Sequence, residues 1–105
     1  MTAALLDDTA IARALTGLSG WRRDGNELRA RYRLPTFAAA VELTTAIATV
    51  AEELDHHPEW TVAYREVALL TTTHDAGGLT QLDVDLAHRI AGLAKERAGE
   101  VVTQV

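Results

Sequence analysis

Two adjacent histidines, His56 and His57, are the residues of this chain best suited to chemistry. Residues 52–60 surround them with four carboxylates, a proline and an indole. An imidazole has an unperturbed pKa of about 6.5, so it can deliver or accept a proton at neutral pH. Proton transfer by a positioned group is typically worth about 10²–10⁴ in rate. This stretch therefore indicates a site of general acid–base catalysis.

The residues that follow are predicted to form a β-hairpin. From Trp60 onward, apolar and polar side chains alternate with period two, and the alternation is interrupted at Arg65 and Glu66. These two residues are predicted to be the turn. In the resulting register, Trp60 would pair with Thr71.

Continued away from the turn, this register brings a third histidine to the first two. His57 would lie opposite His74, with their Cα atoms roughly 4.5–5.5 Å apart. An irregular strand start at Pro58 would shift the pairing by one residue and bring His56 nearest instead. The pattern therefore predicts that three histidines share one neighbourhood, and it leaves open which of them are in contact.

A long helix is predicted to carry the first two histidines at its end. It runs from about Phe37 to Leu54, and it must end before Pro58 because proline disfavours helical backbone in the preceding residue. His56 and His57 are thus expected at or just beyond its carboxyl end. Its predicted buried stripe consists of Phe37, Val41, Thr44, Ile47, Ala48, Ala51 and Leu54.

Two further segments are predicted before this helix. Residues 8–18 have the apolar spacing of a short helix, with Asp7 or Asp8 as its cap. A turn at residues 24–26 leads into a strand at residues 28–34. Strict alternation in that strand directs three arginines to one face, namely Arg29, Arg31 and Arg33. We interpret them as a solvated strand face that discourages edge-to-edge pairing, rather than as an anion site.

The last helix completes the predicted fold. It runs from about Gln81 to Ala98 and opens with a capping box of Thr80 and Asp83, and the tail after Gly99 is expected to be frayed. The element order α-β-β-α-β-β-α predicts an α+β fold of two layers. In it, a four-stranded antiparallel sheet carries three helices on one face, and residues 1–105 form a single domain.

Composition excludes several classes of function. The chain has 105 residues and no cysteine, so disulfides, thiolate nucleophiles and zinc–thiolate sites are excluded. Ten Lys and Arg against 15 Asp and Glu give a net charge of −5, which opposes direct nucleic-acid binding. No apolar run approaches the roughly 18 residues that a membrane span needs, and the first residues lack the pattern of an export signal. A cytoplasmic location is the resulting expectation.

Several residues at fixed separations make the chain recognisable. They are Glu52, His56, His57, Pro58, Tyr64, His74 and Asp83. This pattern resembles the signature of the pterin-4a-carbinolamine dehydratases. The surrounding strings at residues 52–60 and 72–80 add further agreement, and the element order fits nearly the whole chain.

The resemblance implies an enzyme that eliminates water from a small-molecule substrate. That substrate is 4a-hydroxytetrahydropterin, and the product is quinonoid dihydropterin. The reaction supports the pterin-dependent aromatic amino-acid hydroxylases. The resemblance implies neither a metal nor an organic cofactor. It also implies assembly into a homodimer or homotetramer.

The resemblance further implies roles for particular residues. The implied catalytic group consists of His56, His57, His74 and Glu52. Substrate contacts are implied for His56, His57, Pro58, Thr73, His74, Asp75 and Ala76. Trp60 and Asp83 would shape or support the site. Our own hypothesis adds that Glu52 or Asp55 orients an imidazole.

The chemistry of the implied reaction suits histidine. Dehydration of a carbinolamine needs a proton for the departing 4a-hydroxyl and a base for the proton on the adjacent ring nitrogen. Our hypothesis assigns His56 and His74 to these two roles and His57 to holding the pterin. It does not fix which of the two is the acid.

Two other functions compete with this one. A metal-dependent hydrolase could use three histidines with nearby carboxylates, but adjacent side chains diverge and the i, i+3 and i, i+4 spacings of a helical ligand pair are absent. A non-catalytic interaction or assembly protein, of the type that partners transcription factors, could use the same fold. Two residues also have structural interpretations, because Trp60 could belong to the core and Asp83 could simply start a helix.

Overall fold

Residues 3–103 are described by the computed structural model, and they form three α-helices, five β-strands and one 3₁₀ turn. In chain order the elements are α1 (Asp8–Leu15), β1 (Arg22–Asp24), β2 (Glu27–Arg33), α2 (Phe37–Leu54), β3 (Glu59–Ala63), β4 (Glu66–Thr71), the 3₁₀ turn (His74–Ala76), α3 (Gln81–Glu96) and β5 (Glu100–Val101). The predicted α+β fold is confirmed. Helices α1 and α3 end earlier than the predicted Leu18 and Ala98.

The strands form one antiparallel sheet in the order β1-β2-β4-β3, and β5 pairs with β2. All four predicted strands are present. The fifth strand corrects the expectation of a frayed tail, because Val101 pairs with Tyr32 and Glu100 pairs with Arg33. Strand β5 satisfies backbone groups of β2 that would otherwise be left unpaired on that edge of the sheet.

The core lies between this sheet and the helices. Strand β2 alternates along its length, and Leu28, Ala30 and Tyr32 face inward as predicted. Helices α2 and α3 pack against each other and against the sheet, and they contribute Ile47 and Ile90 to the same apolar cluster. Full burial of each large side chain is worth about 1.5–3 kcal/mol. This packing fixes the ends of α2, β4 and α3 relative to one another.

The buried face of α2 differs from the predicted stripe. Three predicted positions are buried, namely Thr44, Ile47 and Ala51. Three others are exposed, namely Phe37, Val41 and Ala48. The helix buries Ala40, Leu43 and Val50 in their place. Because α2 is apolar on most of its sides, its own periodicity has little contrast and the packing partners select the face.

No helix of the described chain is long and apolar enough to cross a membrane.

The β3–β4 hairpin is paired two residues away from the predicted register. Its turn consists of Tyr64 and Arg65, and Tyr64 lies in the left-handed region at φ 53°. Trp60 therefore pairs with Leu69 rather than with Thr71. A shift of two residues leaves each side chain on its predicted face, because the faces alternate with period two.

The predicted strand pair of His57 and His74 is consequently wrong. His74 lies beyond β4, in the 3₁₀ turn. Glu66, predicted to be part of the turn, instead begins β4, where its carboxylate accepts hydrogen bonds from Arg31 at 3.3 Å and Arg33 at 2.9 Å. These bonds tie Glu66 to β2 as a strand residue, and the turn of the hairpin accordingly falls on Tyr64 and Arg65.

The outward arginines of β2 are all paired with carboxylates. Arg29 donates to Glu27 at 2.6 Å, while Arg31 and Arg33 share Glu66. Exposed ion pairs of this kind contribute little to stability, because solvent screens them. The pairing is consistent with a solvated strand face.

Candidate active site

The first two histidines are positioned by the turn that ends α2. Asp55 adopts the left-handed conformation, at φ 49° and ψ 44°. The His56 amide then donates to the Ala51 carbonyl at 3.0 Å, which is the closing bond of a Schellman-type helix end. Because the chain reverses at Asp55, His56 points into the protein and His57 turns back toward the last turn of α2.

His56 is held inside the protein. Only 8% of the residue is exposed, and its Nε2 lies 2.7 Å from Asp83 Oδ1 and 3.2 Å from Thr71 Oγ1. Within residues 3–103, its other ring nitrogen, Nδ1, has no hydrogen-bond partner. Nδ1 is therefore the ring nitrogen that the described protein leaves without a partner.

Asp83 is fully buried in the first turn of α3, and four donors surround its carboxylate. Besides His56, Thr71 Oγ1 donates to Oδ1 at 2.7 Å. Thr73 Oγ1 and the Thr80 amide donate to Oδ2 at 2.7 and 2.9 Å. The Thr80 bond belongs to the predicted capping box, which is confirmed. These four bonds compensate for burying a carboxylate, which is otherwise costly.

His57 forms a second histidine–carboxylate pair, this one at the surface. Its Nε2 lies 2.8 Å from Glu52 Oε1, and the two side chains are 57% and 77% exposed. An exposed pair contributes little to stability. Of the two carboxylates predicted to orient an imidazole, Glu52 contacts a histidine, whereas Asp55 makes no side-chain hydrogen bond to one within residues 3–103.

His74 is positioned by the 3₁₀ turn after β4. The Thr73 amide donates to the Gly78 carbonyl at 3.0 Å and closes the loop. Gly77 adopts φ 76°, which glycine reaches without steric cost, and its amide donates to the Thr73 and His74 carbonyls. The His74 ring is thereby carried, exposed, on a short and well-bonded loop.

The three histidines line one hollow of about 230 Å³. Its lining consists of Asp55, His56, His57, Thr72, Thr73, His74 and Asp75. A second hollow of about 250 Å³ adjoins it across Thr72 and His74. The structure thus brings the three histidines together, although the strand pairing from which this was predicted is wrong. Each hollow is smaller than the roughly 300–1,000 Å³ of sites for drug-sized ligands, so the site suits a small molecule.

Several predicted site residues are not part of this lining. Glu52 touches it only through His57, and Asp83 lies behind His56. Two others, Pro58 and Ala76, are half-buried and do not line the hollow.

Trp60 lies elsewhere. It is 36% exposed and lines a different hollow of about 200 Å³, together with Arg29, Arg31 and Ala68. That hollow contains no histidine, so we place the candidate chemistry at the three histidines.

Sequence reasoning missed two threonines. Thr71 is 1% exposed and contacts both His56 and Asp83, while Thr72 lines both hollows beside the histidines. A signal for Thr71 was present, because the alternation of β4 places Thr71 and Thr73 on the buried face. A buried hydroxyl needs a partner, so two successive inward threonines predict a polar group behind the sheet.

Carboxylates already occupy one nitrogen on each of two rings, since Nε2 of His56 and Nε2 of His57 are hydrogen-bonded to Asp83 and Glu52. Within residues 3–103, no group of three or more His, Cys, Asp or Glu side chains is arranged to hold a metal ion. The arrangement lends the metal-dependent hydrolase no support. What the site offers is proton exchange at imidazole nitrogens.

The fold and site define a class of protein, a small two-layer α+β domain with a hollow lined by three histidines between the end of α2 and the loop after β4. Sequence comparison then identifies the family. The family model described as pterin 4 alpha carbinolamine dehydratase matches residues 4–93, and the chain belongs to that family. The resemblance drawn from the residue pattern is confirmed.

Similar proteins from three bacteria extend this finding. The chain is 47% identical over 88 residues to a protein of Roseiflexus sp. (strain RS-1), covering 84% of this chain and 95% of the relative. It is 44% identical over 91 residues to one of Thermomicrobium roseum, covering 87% and 98%. It is 42% identical over 95 residues to one of Nocardia farcinica, covering 90% and 100%. The names of all three assign them provisionally as pterin-4-alpha-carbinolamine dehydratases.

Two solved structures share the fold. A Brucella melitensis protein described as a transcriptional coactivator/pterin dehydratase has a TM-score of 0.82 and 32% identity, covering 85% of this chain and 97% of that one. A pterin dehydratase-like protein described as a RuBisCO assembly factor of the alpha-carboxysome has a TM-score of 0.61 and 23% identity, covering 71% and 89%. The second likeness concerns the fold alone.

Proposed function

We propose that this protein is a 4a-hydroxytetrahydrobiopterin dehydratase, a hydro-lyase that converts 4a-hydroxytetrahydropterin to quinonoid dihydropterin and water. The observation that carries the proposal is the single hollow shared by His56, His57 and His74. Family membership supports it. In this role the protein recycles the pterin cofactor of aromatic amino-acid hydroxylases and uses no cofactor of its own.

The proposed reaction needs two proton movements and no oxidant. The C4a–O bond breaks, and a general acid gives the departing hydroxyl the proton that makes it water. A general base takes the proton from N5, and the electron pair of that N–H bond becomes the second bond of C4a=N5. Each proton transfer by a positioned group is typically worth about 10²–10⁴ in rate.

The geometry supports a division of roles among the histidines. His56 suits an acid or base that must keep one orientation, because Asp83 holds its ring from behind. His74 lies on the separate loop that borders the same hollow and supplies the second proton-transfer group. His57 stands with Glu52 at the exposed side and holds the pterin.

The proposal includes a homo-oligomer and the cytoplasmic location expected from the sequence. Strand β3 is an edge of the sheet, and two large side chains are exposed on it and in the turn that follows, Trp60 at 36% and Tyr64 at 74%. An unpaired edge can pair with the same strand of a second copy about a two-fold axis. Light scattering that finds only monomer at micromolar concentrations would contradict this part.

A stopped-flow assay with enzymatically generated 4a-hydroxytetrahydropterin tests the function directly. The wild type should accelerate dehydration over the spontaneous rate. His56→Ala and His74→Ala should each lower kcat by about 10²–10⁴, because each removes a proton-transfer group. His57→Ala should act mainly by raising KM, because it removes a contact to the bound pterin.

His88→Ala is the matched control, because His88 is an exposed histidine of α3 that does not line the hollow. It should dehydrate the pterin at the wild-type rate. The proposal fails if the wild type gives no acceleration. The assignment of roles fails if His56→Ala and His74→Ala both keep near-wild-type rates.

A non-catalytic interaction protein is the second candidate. The exposed apolar side chains of α2, Phe37 at 54% and Val41 at 42%, are the observation that favours it. A pull-down that recovers a specific partner, combined with absence of dehydratase activity in the folded wild type, would favour this candidate over catalysis.

A further inference from the structure

The hydrogen bonds behind the histidine hollow have one consistent arrangement of protons. Thr71 Oγ1 and Thr73 Oγ1 each donate their single proton to the Asp83 carboxylate. Thr80 Oγ1 lies 2.8 Å from Thr73 Oγ1 and accepts from the Leu82 amide at 3.2 Å. Because the Thr73 proton is already used, Thr80 donates to Thr73. Each hydroxyl in the network therefore has a defined direction.

This arrangement decides where His56 carries its proton. Its Nε2 faces Asp83 Oδ1 at 2.7 Å and Thr71 Oγ1 at 3.2 Å, and both oxygens can only accept. A bare Nε2 would set a lone pair against acceptor oxygens in a buried place, which is costly. Nε2 therefore keeps its hydrogen, and Nδ1 is the nitrogen that gains or loses a proton.

We propose that Asp83, Thr71 and Thr73 are positioning residues that hold His56 as the Nε2–H tautomer and present Nδ1 to the substrate. The His56 side chain is 9% exposed and lines the hollow, while Nδ1 has no partner within residues 3–103. The statement about the substrate rests on the proposed function. The statement about the tautomer rests on the hydrogen bonds alone.

The same geometry makes Asp83→Asn a sharp test. The asparagine can keep its oxygen toward Thr73 and toward the Thr80 amide, a backbone donor that cannot turn. Its NH2 group then faces Nε2 of His56, and a donor there requires Nε2 to accept. The ring proton must therefore move to Nδ1. A neutral ring with that tautomer cannot accept a proton at Nδ1, because Nδ1 already carries one.

NMR of the imidazole nitrogens in protein labelled with ¹⁵N-histidine reads the tautomer without reference to activity. In the wild type, we expect the neutral His56 ring to carry its proton on Nε2, with slow exchange of that proton with water. In Asp83→Asn, we expect the proton on Nδ1. His88 is exposed and serves as the internal control, so its ring proton should exchange rapidly in both proteins.

Kinetics supply the second readout. Asp83→Asn should lower kcat by about 10²–10⁴ and change KM by less than about threefold, as expected for a histidine held in the wrong tautomer. The inference is overturned if wild-type His56 carries its neutral-state proton on Nδ1, or if folded Asp83→Asn keeps it on Nε2. If Asp83→Asn does not fold, the wild-type spectrum still shows which nitrogen of neutral His56 carries the proton, and so still tests the inference. A wild type without dehydratase activity refutes the proposed function and leaves the tautomer result standing.

Discussion

Thr71→Val removes one donor from the carboxylate behind His56 and leaves the side-chain shape almost unchanged. Thr71 is 1% exposed and pairs with Leu28 of β2, so a β-branched valine fits the same strand position. The change removes the 2.7 Å bond to Asp83 Oδ1. A hydrogen bond to a charged group contributes about 1.5–3 kcal/mol net, and burying the extra methyl offsets part of that. We expect the free energy of unfolding to fall by about 1–2.5 kcal/mol.

This loss should be visible in both stability and kinetics. For a domain of this size, 1 kcal/mol corresponds to roughly 4–8 °C in Tm, so thermal unfolding should shift down by roughly 4–20 °C. The orientation of His56 also loses one support, since the Thr71 hydroxyl lies 3.2 Å from its Nε2. We expect kcat to fall by about two- to tenfold, with KM within about twofold of the wild type.

Two matched variants separate this reasoning from a general effect of valine. Thr71→Ser keeps the hydroxyl and should restore most of kcat. Thr61→Val makes the same change at an exposed threonine of β3 and should change neither Tm nor kcat noticeably. The reasoning is refuted if Thr71→Val unfolds at the wild-type temperature with wild-type kcat, or if Thr61→Val loses as much.

Three further predictions concern the core and the pH dependence of stability, and all are measured by urea denaturation. Ile47→Ala should cost about 2–5 kcal/mol and Phe37→Ala under about 1, because only the first lies on the buried face of α2. Burial raises the pKa of Tyr32, so stability should fall as pH rises above about 10, where the unfolded phenol ionises first, and Tyr32→Phe should remove that fall. Hydrogen bonds from Arg33 and Arg31 lower the pKa of Glu66, so its stabilisation is present above about pH 4.3 and lost as pH falls through the lower folded value. Glu66→Gln should remove that acid-side component.

Features with a strong local signal could be predicted from the sequence. The alternation of β2 places Tyr32 on the buried face, and Pro58 limits the end of α2. The capping box of Thr80 and Asp83 was predicted from a spacing of three residues. In each case the residues that determine the feature lie within a few positions of one another, so a local sequence pattern is enough to predict it.

Other features depend on groups that are distant in the chain. The β3–β4 turn places Tyr64 in the left-handed region, which is unfavourable for a tyrosine, and no turn rule puts it there. In the structure Glu66 is bonded to Arg33 on β2 and belongs to β4, a contact that a pattern confined to the hairpin does not contain. The same limit applies to α2, where neighbours across the core decide that Leu43 is buried and Phe37 is not.

The network behind His56 is the strongest case of such long-range dependence. His56 comes from the end of α2, Thr71 and Thr73 from the end of β4 and the residues after it, and Asp83 from the first turn of α3. The four hydrogen bonds to the Asp83 carboxylate therefore have two effects: they join these three parts of the chain, and they orient the His56 imidazole. Because one set of bonds does both, changes in this network should alter stability and activity together. His74 is exposed and outside the network, so its replacement should affect activity alone.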